Sequence, residues 1–310
     1  MNQLKTAFIY SGQGAQYNGM AKELYETYAS VRDIFEQAGD TLGVDMVDLC
    51  FEDNPKLHFT PFTQPAVLTV SYAIDQLMKE AGVYPNAVGG LSLGEYTALV
   101  SAGVMTFKEA VALVHKRGQL MEEAVPEGTG KMAAIIGLEK EAVEAICRRL
   151  SSTSSVVGIA NYNTPNQLVI SGHSKAVEEA SQLMNEAGAK RVVELKVSGP
   201  FHSPLLQSAS ELLENEIDKL ALHSFSYPVY SNVTAAPYSS EEEVKQLLVK
   251  QMTSPVKFEQ MIVQMIDDGV ESFVELGPGK TLRTFIKSID RKVNVKNVEN
   301  VSQLNKILNN

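Results

Sequence analysis

Apolar and polar positions along the chain alternate between strand-like runs and helical periods. Thr6-Ala7-Phe8-Ile9-Tyr10 is a short apolar run that ends in Ser11-Gly12-Gln13-Gly14-Ala15-Gln16, which predicts a buried strand closed by a loop. A helix is expected next, from about Met20 through Glu36. From Pro65 to Glu80 apolar side chains recur at helical spacing through Val67, Val70, Ile74, Leu77 and Met78, and Ala87 to Gly90 then reads as a strand entering Leu91-Ser92-Leu93-Gly94. A helix to about Ser101 follows. Thr106-Phe107-Lys108-Glu109 carries the hydroxyl and carboxylate spacing of a capping box, which starts a further helix running to about Ala124.

The middle of the chain predicts strand Lys131 to Gly137, helix Lys140 to Leu150, strands Val156 to Tyr162 and Gln167 to Ser171, helix Lys175 to Ala187 and strand Arg191 to Val197. That β-α-β-β-α-β order is the ferredoxin-like split unit. Turns at Pro126-Glu127-Gly128-Thr129-Gly130 and Ser198-Gly199-Pro200 bound it. The expected organisation is therefore a subdomain over residues 128–197 inserted in a larger α/β domain made of residues 1–127 and 198–310. In the last third, a helix over Glu211 to Leu220, a strand at Pro228 to Ser231, helices over Glu241 to Gln251 and Glu259 to Asp267, and a strand at Ser272 to Leu276 are expected. Gly277-Pro278-Gly279 then leads into a last helix. Alternating strands and helices imply a mainly parallel sheet covered on both faces.

Composition narrows the function classes. With 310 residues, 44% hydrophobic and 21% charged, the chain can bury a large core without disulfides. Lys and Arg number 27 against 37 Asp and Glu, a formal net charge of −10, which disfavours nucleic acid or an anionic membrane as the main partner. Cys50 and Cys147 form no Cys-x-x-Cys pattern and are read as idle thiols of a reducing cytoplasm. No apolar run approaches the roughly 20 residues of a membrane span. Cytoplasmic localisation, no bound metal and no membrane are the expectations.

Gly90-Leu91-Ser92-Leu93-Gly94 is a Gly-x-Ser-x-Gly between a strand and a helix, the setting of a nucleophile elbow, although the bare pattern also occurs as an ordinary turn. The backbone N–H of Leu93 would face a developing oxyanion. A nucleophilic serine needs a base, and the chain has five histidines: His58, His115, His173, His202 and His223. His202 lies between glycine and proline in Val197-Ser198-Gly199-Pro200-Phe201-His202-Ser203-Pro204, where a loop can hold a ring in fixed geometry or merely satisfy it locally. His115 falls inside a helix, and His173 in a strand-to-helix turn where capping is its default role. No aspartate separates Ser92 from His202, so a serine–histidine dyad oriented by a neutral acceptor fits better than a triad.

Arg117 shares a row with Ala110, Val114 and Met121 on an apolar helix face. Its planar fork suits a carboxylate, either a neighbouring glutamate or that of a small substrate. The loop Gly12-Gln13-Gly14-Ala15-Gln16-Tyr17 lacks the third small residue of a dinucleotide fingerprint, and Gly277-Pro278-Gly279-Lys280-Thr281 lacks the first glycine of a phosphate loop. Both read as tight turns.

Ser11-Gly12-Gln13-Gly14-Ala15-Gln16, Gly90-Leu91-Ser92-Leu93-Gly94-Glu95-Tyr96, Lys116-Arg117-Gly118, Asn161-Tyr162-Asn163, Gly199-Pro200-Phe201-His202-Ser203 and Glu275-Leu276-Gly277-Pro278-Gly279, in that order, resemble the malonyl-CoA:acyl-carrier-protein transacylase family over nearly the whole chain. The resemblance implies an α/β-hydrolase-like large domain with a ferredoxin-like insert. It implies Ser92 as nucleophile, His202 as general base, and an oxyanion hole from the backbone N–H groups of Gln13 and Leu93. It also implies Arg117 as the ligand of the malonyl carboxylate, Gln251 as the residue whose main-chain carbonyl orients the histidine, and Phe201 and Asn163 in the pocket. Malonyl-CoA and acyl carrier protein are the implied substrates and a monomer the expected state, with no cofactor beyond the coenzyme A thioester. Supply of fatty-acid synthesis is the expected role; loading of polyketide carriers in trans, a serine thioesterase or hydrolase, and a carrier-binding scaffold without activity are the alternatives. Many relatives carry histidine before the nucleophile where Leu91 stands here, and the Phe201 ring should crowd an α-methyl group, making methylmalonyl a poor substrate. Lys280, Arg283 and Lys287 share one face of the last helix, either a solvated surface or a docking patch for an acidic carrier.

Overall fold

The computed structural model describes residues 4–309. Strand β1 (Thr6–Tyr10) leads through the glycine loop to helices α1 (Lys22–Thr27), α2 (Ala29–Leu42), α3 (Met46–Phe51) and α4 (Thr60–Glu80). Strand β2 (Ala87–Gly90) is followed by α5 (Leu93–Ser101) and α6 (Phe107–Glu123). Then come β3 (Gly130–Ile136), α7 (Lys140–Leu150), β4 (Val157–Thr164), β5 (Gln167–His173), α8 (Ser174–Glu186) and β6 (Arg191–Glu194). The chain closes with α9 (Gln207–Ile217), α10 (Glu241–Gln251), α11 (Phe258–Asp267), β7 (Ser272–Leu276), α12 (Thr281–Ile289), β8 (Asn294–Val298) and α13 (Val301–Leu308).

Two sheets organise these elements. The first is parallel, in the order β2-β1-β7-β8. Strand alternation sends Phe8 and Tyr10 to one face, with α4, α5 and α6, and Ala7 and Ile9 to the other, with α11 and α12. The second sheet is antiparallel, in the order β4-β5-β3-β6. It buries Ile135, Ile159 and Ile170 against Val143, Cys147 and Val177 of α7 and α8 in a core of its own. The architecture is thus α/β, with a mainly parallel sheet and a second antiparallel one. Cys50 and Cys147 are both buried free thiols.

Several expectations needed correction. The helix expected over Met20 to Glu36 is broken at Tyr28, whose backbone is extended at φ −115° and ψ 128°; Arg32 folds back to donate to the carbonyls of Tyr25 and Glu26 that the break exposes. The strand expected at Pro228 to Ser231 is only an edge segment bridged to β2 at Val229. Proline at its start removes a ladder donor, and the turn at Asn232 cuts it short. The helix after Gly279 is not the last element, because β8 and α13 follow it. Strand β8 has little apolar content and the basic residues around it hid it; the described Asn297 is nevertheless buried, bonding the Gly279 carbonyl.

His173 does not cap α8, since its Nδ1 accepts from the backbone N–H of Val156. His115 has a backbone role instead. Pro65 inside α4 has no N–H to give the Pro61 carbonyl one turn back, and His115 Nδ1 supplies the bond at 2.7 Å.

Candidate active site

The site forms where the carboxyl ends of β1, β2 and β7 meet, the usual place for a ligand on a parallel sheet. Strand β2 stops at Gly90, and Ser92 precedes α5 with φ 54° and ψ −100°. A non-glycine residue in that region costs about 1–3 kcal/mol and persists only where its surroundings enforce it. The two motif glycines are needed for close approach. A Cβ on Gly90 would stand 2.1 Å from the Gly94 carbonyl carbon, and one on Gly94 would stand 2.1 Å from the Tyr10 oxygen. Asn232 clamps the bend from both sides: its Oδ1 accepts from Ser92 N at 2.6 Å and its Nδ2 donates to the Gly90 carbonyl at 2.8 Å.

Ser92 Oγ lies 2.8 Å from His202 Nε2, and His202 Nδ1 lies 2.8 Å from the Gln251 carbonyl. A carbonyl can only accept, so Nδ1 carries the proton and Nε2 is left free to take one from the serine. The ring is 5% exposed. Burial first, and then the Arg117 charge, push its pKa down to about 4, partly offset by bonds to the backbone of Gln251 and Ser254. His202 is therefore a neutral acceptor near neutral pH. Its own backbone also has positive φ, at 55°.

Arg117 projects from α6 and is 1% exposed. Its Nη1 donates to Gln64 Oε1 at 2.9 Å, its Nη2 to Ser92 Oγ at 3.1 Å and to Gln251 Oε1 at 3.0 Å, and its carbon lies 5.2 Å from the centre of the Tyr96 ring. Among the described residues it makes no ion pair, and its Nε has no hydrogen-bond partner. The salt bridge to a neighbouring glutamate that the sequence left open does not form. Burial lowers the pKa of the guanidinium, and the favourable fields of Tyr96 and Glu95 partly oppose that shift.

A cavity of about 320 Å³ opens over these groups. Gln13, Leu91, Phe201 and Asn163 line it together with Ser92, Arg117 and His202. The Gln13 side chain is held by Thr60 and Gln64. Leu93, fully buried, opens α5, where first-turn N–H groups lack intrahelical acceptors. Asn163 is 6% exposed and its Oδ1 has no partner among the described residues.

Three residues of this arrangement escaped the sequence. Gln64 on α4 and Asn232 in a loop belong to no motif. Glu95 was visible in Gly94-Glu95-Tyr96, but an acid in the first turn of a helix is ordinarily explained by the helix dipole. Here it is fully buried and accepts from Gln251, Asn232 N and Tyr238. Glu275 at the end of β7 is similar: its carboxylate accepts from the N–H groups of Leu282 and Arg283 in α12, and burial pushes its pKa up to about 7.

The acyl transferase domain model matches residues 7–309. The chain is 44% identical over 290 residues to the malonyl CoA-acyl carrier protein transacylase of Bacillus subtilis strain 168, covering 93% of this chain and 92% of the relative. It is 42% identical to the protein of the same name from Staphylococcus aureus strain MRSA252, covering 97% of each. Among solved structures it is similar to the transacylase of Streptococcus pneumoniae, with TM-score 0.94, 44% identity and coverage of 98% and 99%. It also matches the malonyl-transacylase in complex with a type II PKS acyl-carrier protein, with TM-score 0.96, 37% identity and coverage of 99% and 100%.

Proposed function

The chain belongs to the acyl transferase family, and from that premise we propose that it moves a malonyl group from coenzyme A to the phosphopantetheine thiol of an acyl carrier protein, through an ester on Ser92. The observation that carries this reading is the pairing, on one serine oxygen, of a neutral base at 2.8 Å and an unpaired, buried guanidinium at 3.1 Å. The first makes an acyl acceptor; the second selects an acyl group that ends in a carboxylate.

Ser92 Oγ attacks the thioester carbon as His202 Nε2 takes its proton. The N–H groups of Gln13 and Leu93 hold the oxyanion, the C–S bond breaks, and the departing sulfur receives the proton from His202. The carrier thiol then attacks the malonyl ester by the reverse path. The Gln251 carbonyl keeps His202 in the required tautomer, and Arg117 holds the malonate end. One thioester replaces another, so the reaction calls for no metal or redox group. Phe201 at the cavity wall crowds the α-carbon and should disfavour methylmalonyl.

The same reading extends to the architecture. Residues 128–197 form a ferredoxin-like insert, supported by the β-α-β-β-α-β order and the β4-β5-β3-β6 sheet, within an α/β-hydrolase-like domain over 1–127 and 198–310. We also propose that it works in the cytoplasm as a monomer on a diffusing carrier rather than on nucleic acid or membrane; among the described residues no helix is long and apolar enough to cross a membrane.

The test is malonyl transfer from coenzyme A to a panel of fatty-acid and polyketide carriers, with the intermediate followed by intact mass. A malonyl adduct on Ser92 that is discharged by carrier supports the proposal and identifies the pathway. Rapid release of free malonate without carrier would make the chain a hydrolase.

A further inference from the structure

Behind Ser92 lies a carboxylate that none of the acyl-transfer steps uses. Glu95, on the first turn of α5, is fully buried. Its Oε2 accepts from Asn232 N at 3.1 Å and from Gln251 Nε2 at 2.6 Å, and its Oε1 accepts from the Tyr238 hydroxyl. On the far side of the same amide, Gln251 Oε1 accepts from Arg117 Nη2 at 3.0 Å, and Nε2 also donates to the Ser92 carbonyl at 3.1 Å. Chemistry fixes the orientation of that amide. A carboxylate only accepts and a guanidinium only donates, so Nε2 must face Glu95 and Oε1 must face Arg117.

The arrangement answers a conflicting requirement. A buried cation without a counter-charge is strongly destabilising. A carboxylate in direct contact with Arg117 would remove that cost, but it would occupy the guanidinium that the substrate needs. One amide of separation keeps the negative charge near and leaves Arg117 Nε without a partner among the described residues.

We propose that Glu95 is a positioning residue: through the Gln251 side-chain amide it orients Arg117 and supplies its counter-charge, leaving the guanidinium open to the carboxylate of the incoming acyl group. The inference rests on the reading of Arg117 as the malonate ligand, and the experiment separates the two. Loading of Ser92 from malonyl-CoA and from acetyl-CoA is measured as kcat/KM for the wild type, Arg117→Ala, Glu95→Gln, Gln251→Met and the double variant Glu95→Gln/Arg117→Ala.

Arg117→Ala should abolish the preference for malonyl. Glu95→Gln should lower the malonyl-to-acetyl ratio by roughly tenfold, the loss of one charge-assisted contact. In the Arg117→Ala background the same change should leave the ratio where it is, because the two residues act as a unit. Gln251→Met should reproduce the drop in ratio while the acid limb of His202 stays in place, since the main-chain carbonyl that orients the ring is retained. Equal losses for both acyl donors in Glu95→Gln and Gln251→Met would mean a merely structural role and overturn the inference. If Glu95→Gln does not fold, Gln251→Met decides alone. If Arg117→Ala itself keeps the malonyl preference, the reading of Arg117 fails and the inference falls with it. A preference lost in Arg117→Ala yet intact in the other two overturns only the inference.

Discussion

The antiparallel sheet over β3 to β6 and the rim of the parallel sheet around Ser92 are built on opposite terms. In the first, apolar side chains from strands and their nearest helices fill a core of their own, and no non-glycine residue of the segment has positive φ. In the second, Ser92 and His202 both take left-handed backbones, and Arg117 and Glu95 are buried with no ion pair among the described residues. One region is stabilised by burial; the other is held in an unfavourable arrangement by its surroundings. On the proposed function the first set keeps the chain folded and the second makes it reactive, and each is expected to change without the other.

The largest expected effect is at the strained serine. Ser92→Ala and Ser92→Gly should both lose loading by about 10⁴-fold or more, read by intact mass. Ser92→Gly should also be about 1 kcal/mol more stable than Ser92→Ala in chemical denaturation, because glycine accepts the φ of 54° freely. Equal stabilities would mean the bend is unstrained. Ile170→Ala, at a fully buried position of the second core, should instead cost about 2–5 kcal/mol of stability. Loading per folded molecule should be unchanged, and a slower rate would show that the two regions are coupled.

The pH dependence sharpens the same contrast. Because the folded His202 is held down to about 4, against an ordinary value of 6.5, the acid limb of kcat/KM for malonyl loading should fall near pH 4. The sign for stability follows: between those two values the unfolded chain binds the proton that the folded one refuses, so stability from this group is lost as pH falls from 6.5 toward 4. An acid limb near 6.5 would contradict the burial argument. The smallest effect is expected at the surface. Lys287 is already engaged by the carbonyls of Arg291 and Val293; Lys280 is exposed, and Arg283, also exposed, donates from Nη1 to Asn297 Oδ1 at 3.1 Å. Arg283→Glu should raise KM for the carrier by about two- to fivefold, as for an exposed ion pair, with loading of Ser92 intact. An unchanged KM would remove α12 as a docking surface.

Local patterns were legible where neighbours in sequence are neighbours in space. Strand β1, the capping box of α6 and the succession β3 to β6 match the periodicities of the chain, because each element is specified by its own residues and the ones beside it. The elbow was legible too, since Gly90, Ser92 and Gly94 lie within one turn. Strand β8 was missed because an edge strand needs few apolar side chains, and the helix break at Tyr28 because no proline or glycine marks it.

By itself, then, the sequence determined that there is an α/β protein with a β-α-β-β-α-β succession in its middle, a candidate nucleophile at Ser92 and two side chains, His202 and Arg117, fit to serve it. Only the tertiary structure decided that these meet on one oxygen, that Gln64 and Gln251 rather than a carboxylate accept from Arg117, and that Glu95 lies one amide away. Those contacts join residues 25 to 156 positions apart, from Arg117 with Ser92 to Glu95 with Gln251. Hydrogen bonds at that separation leave no periodicity in the chain; they exist only once burial has excluded water and made every unpaired donor and acceptor costly.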